Sequence, residues 1–490
     1  MADATTAATP LAATAAVRPL LPEVFALLAA HRPAFRQDRT AQRSTALALG
    51  WLGAFGRHTI SQLLLGLGQG ESDWTAWYRL FSRGRVDYDR LTACLLAQTL
   101  AQSEPHEPYL LIVDGTQIPR HSRTMPGTTW LRHPGTPVFR PGIHRAQRCL
   151  DLAWLPLPSP DGYSRALPLR LDPAFPPKAV PAPGYPPQTE WAAAVAALAW
   201  ARQTLDGVGR EAQRILALGD SAFSSAGVWA GLPARVSLLA RCPRNRALYA
   251  LPAADAATSR RRGRPRLYGA RQPRPDAWLE APGGWQRTTL RVRGRAIPIQ
   301  YRVEGPVVVR GAAQQPLFLL VVKGSSPGHG RKPRHATFWL VNAVPEARAG
   351  QDGQWTLPWP AADLLAWAWQ RWEVEVAHRE LKTTFGLGEP QCWSGRAAIL
   401  TVQWAAWLYG VLVLAGIRAW GLGPAPIRPP GRWWAGSGRW SLARLWQGLR
   451  GELWGETNFR PVCYGPGAPW EKMEGWLALR TNAGLAASRT

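Results

Sequence analysis

Five side chains stand out for the chemistry they would do together: Asp114, Asp220 and Glu375, with Arg371 and Lys382 beside the last. Carboxylates supply the hard oxygen ligands and negative charge that hold Mg²⁺ ions about 4 Å apart for phosphoryl transfer, one ion beside each reacting oxygen. Clusters of neutral His or Cys, which would suit zinc instead, do not occur in the sequence. Fixed cations such as Arg371 and Lys382 stabilise charge that develops on a phosphate. Taken singly, each acid also has an ordinary reading. An Asp just after a strand makes an Asx turn or a helix cap, and Arg371 with Glu375 is an i,i+4 pair of the kind found on salt-bridged surface helices.

The case therefore rests on the elements that position these groups. YLLIVDGTQI is an apolar run read as a buried strand that stops at Asp114. After a long Gly-, Pro-, Arg- and His-rich loop come CLDLAWLPLP and SRALPLRL, separated by the turn residues SPDGY. Three consecutive strands predict an antiparallel meander. EWAAAVAALAWARQTLDGV is a strong helix and RILALG a buried strand. Asp220 follows that strand at its C-terminal end, where α/β folds carry functional groups. From Ala366 the chain predicts one helix of about six turns, ended by Gly386, Gly388 and Pro390. On it Arg371, Glu375, His378 and Lys382 fall within about 60° of one another, with His378 read as an exposed helix histidine. Leu365, Trp369, Trp372 and Val376 form a separate apolar stripe. Glu373 and Glu380 lie roughly 160° and 140° around the helix from Glu375 and are expected to be dispensable.

The 490 residues, 46% of them apolar, exclude wholesale disorder and suffice for several domains. The formal net charge of +26, carried mostly by Arg, implies a polyanionic partner, most simply nucleic acid. A genome rich in G and C raises Arg, Ala, Pro and Gly together, but it does not require so few Asp and Glu. Five scattered cysteines argue against a disulfide framework or zinc ribbon and fit a reducing cytoplasm. Residues 1–20 read as a disordered leader without a basic n-region. Residues 21–104 read as a helical DNA-binding region, with Arg32, Arg36, Arg39 and Arg43 at helical spacing. A helix, Gly-rich turn and helix follow them, a pattern that suits a major groove and also many ordinary helical pairs. Residues 105–242 carry the first part of the core and 346–425 its second part, on either side of a β-rich insertion, 243–345, read as a small subdomain. Arg262, Arg264 and Arg266 in that insertion have AT-hook composition, for a narrow minor groove, or make a solvated basic linker. The uncharged stretch from Ala397 to Ile417 has the length to span a bilayer; the preferred reading is a central helix, with no membrane. Residues 426–490 are a C-terminal extension.

The three acidic motifs in order resemble the DDE transposases of bacterial insertion sequences, in the branch with a Tyr-x2-Arg-x3-Glu-x6-Lys signature. Arg371, Glu375 and Lys382 match its spacings, while IVDGTQI around Asp114 and LALGDSAFSS around Asp220 are similar to the first two acidic motifs. The signature tyrosine position holds Ala368, a departure. The resemblance extends to about Leu414. It implies a mixed α/β, ribonuclease H-like catalytic core interrupted by the β-rich insertion. It also implies an Mg²⁺-dependent enzyme, with Mn²⁺ as the alternative ion, in which Asp114 and Glu375 share one ion and Asp114 and Asp220 the other. Such an enzyme cleaves double-stranded DNA at terminal inverted repeats and joins the freed 3′-OH to target DNA. Arg371 and Lys382 would hold phosphates, a homodimer would form the synaptic complex, and the site of action would be the cytoplasm at the nucleoid. Two other classes remain: a catalytically silent transposase-derived DNA-binding protein, and a general Mg²⁺-dependent DNA nuclease.

Overall fold

The computed structural model describes residues 18–137, 139–252, 266–324, 334–345, 354–392, 394–426 and 438–455. The chain opens with five helices, α1 (Leu20–Ala30), α2 (Asp38–Gly53), α3 (Ile60–Gly66), α4 (Thr75–Ser82) and α5 (Tyr88–Thr99). Of the expected leader, residues 1–17 lie outside the described residues, and Leu20 is already buried in α1. The expected helical pair forms as α3 and α4, with Asp73 accepting from the Thr75 N–H at the start of α4. Trp77, Leu80 and Phe81 of α4 are buried, Phe81 edge-on to Trp404.

Strands then dominate. β1 (Tyr109–Pro119), β2 (Thr128–Arg132), β3 (Ile143–Trp154) and β4 (Leu167–Pro173) precede α6 (Glu190–Gly207). β5 (Ile215–Gly219), α7 (Ala226–Gly231) and β6 (Val236–Arg241) complete a sheet region in which β5 runs parallel to both β1 and β6. β3 lies antiparallel to β1, and β4 antiparallel to β3. The long loop after β1 is partly ordered as strand: it supplies β2 and the start of β3.

β1 does not stop at Asp114. Gly115 to Pro119 continue the ladder opposite Leu150 to Ala146, so the acid sits within the strand. The polar residues Thr116 and Gln117 end the apolar run without ending the pairing, because pairing is set by the backbone.

The β-rich segment contributes β7 (Tyr249–Ala250), β8 (Gln286–Val292), β9 (Arg295–Val309), β10 (Ala312–Val322) and β11 (Thr337–Asn342). It continues the main sheet instead of forming a small separate subdomain. β11 pairs antiparallel with β6, giving eleven strands in the order β2-β3-β1-β5-β6-β11-β10-β9-β7, with β4 on β3 and β8 on β9. The result is a mixed α/β fold compatible with the expected ribonuclease H-like core. β12 (Val344–Pro345) and β13 (Trp355–Thr356) make a separate two-residue pair.

The final helices are α8 (Ala361–Gln370), α9 (Trp372–Thr383), α10 (Ala397–Trp420) and α11 (Leu442–Gly455). The single long helix expected from Ala366 is thus two, meeting at Arg371. The Arg371 N–H bonds back to Ala368 O and the Val374 N–H to Arg371 O, three residues away in each case. This locally tightened turn interrupts the four-residue ladder without Pro or Gly. Beyond α9, Gly386 and Gly388 adopt positive φ, as expected of residues that end a helix. Trp372 leaves the expected apolar stripe: it is 52% exposed, while Val374, Ala377 and Leu381 are buried. α10 has the length and apolarity of a membrane span, yet it is buried inside the fold. It packs on β4, α1 and α5, and at Gly410 a β-carbon would come within 2.7 Å of the Pro168 carbonyl.

Glu373 and Glu380 do not lie on a solvated face. Glu373 is buried and accepts from Arg293 at 2.7 Å and from Arg439, which precedes α11. Glu380 accepts from the buried Arg165 and from the Tyr409 hydroxyl of α10 at 2.6 Å. Both face away from Glu375, as the helix geometry requires, but that direction is core. Substituting Glu380→Ala leaves the Arg165 guanidinium buried and unpaired. It is expected to lower unfolding free energy by about 3–5 kcal/mol, read from the urea midpoint, and a midpoint unchanged from wild type would refute the anchoring role.

Candidate active site

The parallel ladder between β1 and β5 aligns Val113 with Gly219. One step further along the chain from each stand Asp114, still in β1, and Asp220, the first residue after β5, so the two acids lie at the end of the same ladder. Asp220 follows β5 directly and also does the ordinary job of its type, accepting the Ala222 N–H at 2.8 Å. Across β1's other edge, Asp114 is registered opposite Asp151 of β3. Paired residues share a face, so both carboxylates lie on the side covered by α9, whereas Gly115 and Arg148 point to α6, where Arg148 meets Glu190 at 2.6 Å.

α9 lays its polar line over these acids. The Arg371 guanidinium binds Glu375 at 2.5 Å and reaches to 3.8 Å from Asp114. His378 is 9% exposed, not a surface residue. Its Nε2 is 2.9 Å from Asp151 Oδ2, and its Nδ1 is 3.8 Å from Asp114 Oδ2. Lys382 is largely buried, and burial lowers its ammonium pKa against the opposing pull of Cys149, Asp114 and Asp151. Asp114, Glu375, Arg371 and Lys382 therefore gather with Asp220 around one face of the sheet. The position of the signature tyrosine, Ala368, is buried in α8. Arg262 and Arg264 lie outside the described residues, and Arg266 is exposed.

Asp151 and the role of His378 were missed by sequence reasoning. Asp151 is fully buried, and its only signal is an acid in the middle of the apolar run CLDLAW. A strand with both faces covered does not tolerate an unpaired carboxylate. That acid called for a buried partner, which proves to be the histidine of α9.

Electrostatics single out Asp114. Burial pushes its carboxyl up to about 6; His378 and Arg371 oppose the rise, and Asp220 and Glu375 add to it. Among the described residues no hydrogen bond reaches its oxygens, and Asp151 Oδ1 is likewise buried without a partner. The carboxylates of Asp114, Asp220 and Glu375 offer oxygen, the ligand type that a hard divalent cation takes. Among the described residues no three Asp, Glu, His or Cys side chains stand close enough together to hold one ion. The guanidinium of Arg371 lies between Glu375 and Asp114.

A family model described as DDE superfamily endonuclease matches residues 27–304. The match includes Asp114, Asp151 and Asp220 and stops before Glu375. No curated protein matches the chain.

The raised pKa of Asp114 has a definite consequence for stability. In the unfolded chain the group titrates near 3.8, and in the fold near 6, so the fold holds the extra proton between those values. Stability is then full below pH 3.8 and falls as pH rises through about 6, by on the order of 2–3 kcal/mol. Without divalent cation, Asp114→Asn is expected to unfold at higher temperature than wild type at pH 7.5 and to match it near pH 4. Parallel melting curves for the two proteins across that range would contradict the assignment.

Proposed function

The chain belongs to the DDE superfamily endonucleases, and from that premise we propose that it is a transposase of an insertion sequence. It acts on double-stranded DNA, cleaves at the element's terminal inverted repeats, and joins the freed 3′-OH to target DNA. The observation that carries the reading is that Asp114 and Asp220 each follow the last registered pair of the parallel strands β1 and β5, with the helix that bears Glu375 packed on β1. Family membership supports nuclease chemistry of the transposase type. The remaining steps are argued from the chain's own residues.

Asp114, Asp220 and Glu375 would hold the divalent ions, Mg²⁺ or Mn²⁺. When bound, the metal would supply Lewis-acid stabilisation of charge on the phosphoryl oxygens. Arg371 is the residue that must move, because its guanidinium engages Glu375 and approaches Asp114. Released from Glu375, it takes a phosphate near the scissile bond, for which a guanidinium fork is well matched. Lys382 supplies a second cation whose partial burial strengthens its attraction for phosphate. His378 stays on Asp151 and ties α9 to β3, the strand paired with that of Asp114. Exposed Arg266, with Arg262 and Arg264, would follow the DNA outside the site. The chain would work in the cytoplasm at the nucleoid, as a homodimer that pairs two element ends.

Single substitutions Asp114→Ala, Asp220→Ala and Glu375→Ala are each expected to cut Mg²⁺-dependent cleavage of terminal-repeat DNA by at least about 10³-fold. A variant that cleaves at near wild-type rate removes that acid from the site. Cleavage by the wild-type protein that ignores the repeats makes it a general nuclease, and end-specific binding with no cleavage in Mg²⁺ or Mn²⁺ makes it a silent derivative.

A further inference from the structure

From Gly115 to Leu150 the chain carries six arginines and not one Asp or Glu. This stretch builds the hairpin of β2 and β3, and β2 is the terminal strand of the sheet. Three large apolar side chains on the hairpin face solvent: Trp130 is 51% exposed, Ile143 70% and Phe139, in the loop, 90%. Among the described residues none of the three packs on the core. The Val180 N–H meets the outer edge of β2 at Thr128, its first residue, and Trp130 lies beyond that point. Apolar surface left open in a segment this basic is not covered by anything in the fold, and it marks a place where something docks.

The tip of the hairpin is braced. The Thr136 hydroxyl donates to His133 O at 2.8 Å and accepts the Gly142 N–H at 3.0 Å, while the His133 N–H bonds Gly142 O. The rings of His133 and His144 meet edge to face at 4.8 Å, and His144 Nε2 lies 2.6 Å from Gln117 Oε1 of β1. Pro134, Pro137 and Pro141 restrict the loop further. A loop so held keeps Phe139 out instead of folding it back. Strand alternation decides which side the rest of the hairpin presents. Asp114 is registered opposite Asp151, and Arg145 and Ile143 stand six and eight residues before Asp151 in the same strand, so they share its face. Trp130 is registered with Arg145, and Arg132 with Ile143. The acid face of the sheet therefore runs out into a chequerboard of two apolar side chains and two guanidiniums. Arg132 makes no ion pair among the described residues and is exposed.

We infer that this hairpin is a wedge that unstacks one base step of the duplex held at the acids, at a distance from the phosphate being cleaved. The inference rests on the reading of the protein as a DNA-cleaving enzyme and assigns a deformation of the substrate that this reading leaves open. The distance follows from geometry. A strand rises about 3.4 Å per residue and a duplex about 3.4 Å per base pair, so the side chains six and eight residues from Asp151 face a step roughly six to eight base pairs from the cut. Charge decides the occupant. A second copy of the hairpin would bring like charges together, whereas a duplex offers phosphates to the arginines and stacked bases to Trp130, Ile143 and Phe139. Apolar side chains pushed between base pairs kink the duplex, and flanking cations hold the backbone on either side of the kink.

The test is the full-length protein with a set of terminal-repeat duplexes, each carrying the fluorescent base 2-aminopurine at one position, without divalent cation. Unstacking brightens this base, and the rise is expected roughly six to eight base pairs to one side of the cut. The double variant Trp130→Ser, Ile143→Ser is expected to lose the rise while the duplex stays bound, because every arginine remains. No rise at those positions, or a rise that the double variant keeps, overturns the wedge. Should the double variant fail to fold, Phe139→Ser alters a side chain that is 90% exposed. It is expected to weaken the rise, and an unchanged rise overturns the wedge. A protein dimer that Trp130→Ser dissociates in sedimentation, with no unstacking in any duplex, makes a second copy the occupant and overturns the choice of DNA. A rise spread over every position, and lost in the double variant, refutes end recognition and leaves the wedge standing. Because unstacking is read without cleavage, a protein that unstacks but never cuts in Mg²⁺ refutes the proposed function alone. Cleavage without unstacking refutes the wedge alone.

Discussion

A carboxylate on each of two adjacent strands, Asp114 on β1 and Asp151 on β3, facing the same way under one helix, is the constraint around which this face of the sheet is arranged. Asp151 is fully buried, so its charge must be met from within the protein, and the group that meets it is His378 at 2.9 Å. That single bond fixes which turn of α9 rests on which residue of β3. Glu375 and Arg371 then fall where they do because they share a helix with His378. The back of α9 is held as firmly, by the buried Glu373 on Arg293 and Arg439 and by Glu380 on the buried Arg165 and a tyrosine. Buried ion pairs add little net stability beside apolar packing, but they penalise any displacement that separates them. Here they give the helix one register, and the register positions the acid.

Much of this was legible in the sequence. Strong apolar runs marked β1, β3, β5 and β6, and the alternation of strand, helix and strand marked the α/β region with Asp220 at a strand end. The two glycines after α9 marked its end, because a positive φ suits little else. Less legible was anything that depended on a distant partner. Asp114 looked like a strand terminus because Thr116 and Gln117 broke the apolar run, although the backbone ladder with β3 runs on to Pro119. Glu373, Glu380 and His378 looked solvated because charge on a helix usually is. Their partners, Arg293, Arg439, Arg165, Tyr409 and Asp151, come from five other segments, and no local pattern announces such pairs. The stripe containing Trp372 failed for a smaller reason: the tightened turn at Arg371 shifts the face that follows it.

The charge of the chain is also more structured than its total suggests. Some arginines are spent inside. Arg120 is buried and donates to the carbonyls of Gly388, Pro390 and Ala398 and to the side chain of Gln147, tying β1 to the turn after α9 and to the start of α10. Burial lowers its pKa to about 10, still far above neutrality, so it remains a cation with carbonyl oxygens as its solvent. Arginine suits that role because its five donors can satisfy several acceptors at once. The net excess of +26 therefore overstates what is free for a polyanion. Six arginines with no ion pair among the described residues, Arg36, Arg39, Arg83, Arg85, Arg90 and Arg396, line one groove, and a patch of that kind sets long-range attraction more than a uniform surface charge would.

The join between β6 and β11 has a consequence for solubility. A core ending at β6 would present the edge of VSLLAR, buried from Val236 to Ala240, as an open template for another chain. The strands that follow occupy that edge, so the inserted segment acts as a shield as well as an extension. Beyond β9 the margin is shared by β7, only two residues long, and by β8 (Gln286–Val292), which α8 packs against, and short or covered edges recruit poorly. Excision of the insertion would thus restore a sticky margin beside the strand that leads to Asp220. A trimmed version of this enzyme would face self-association before it faced any loss of chemistry.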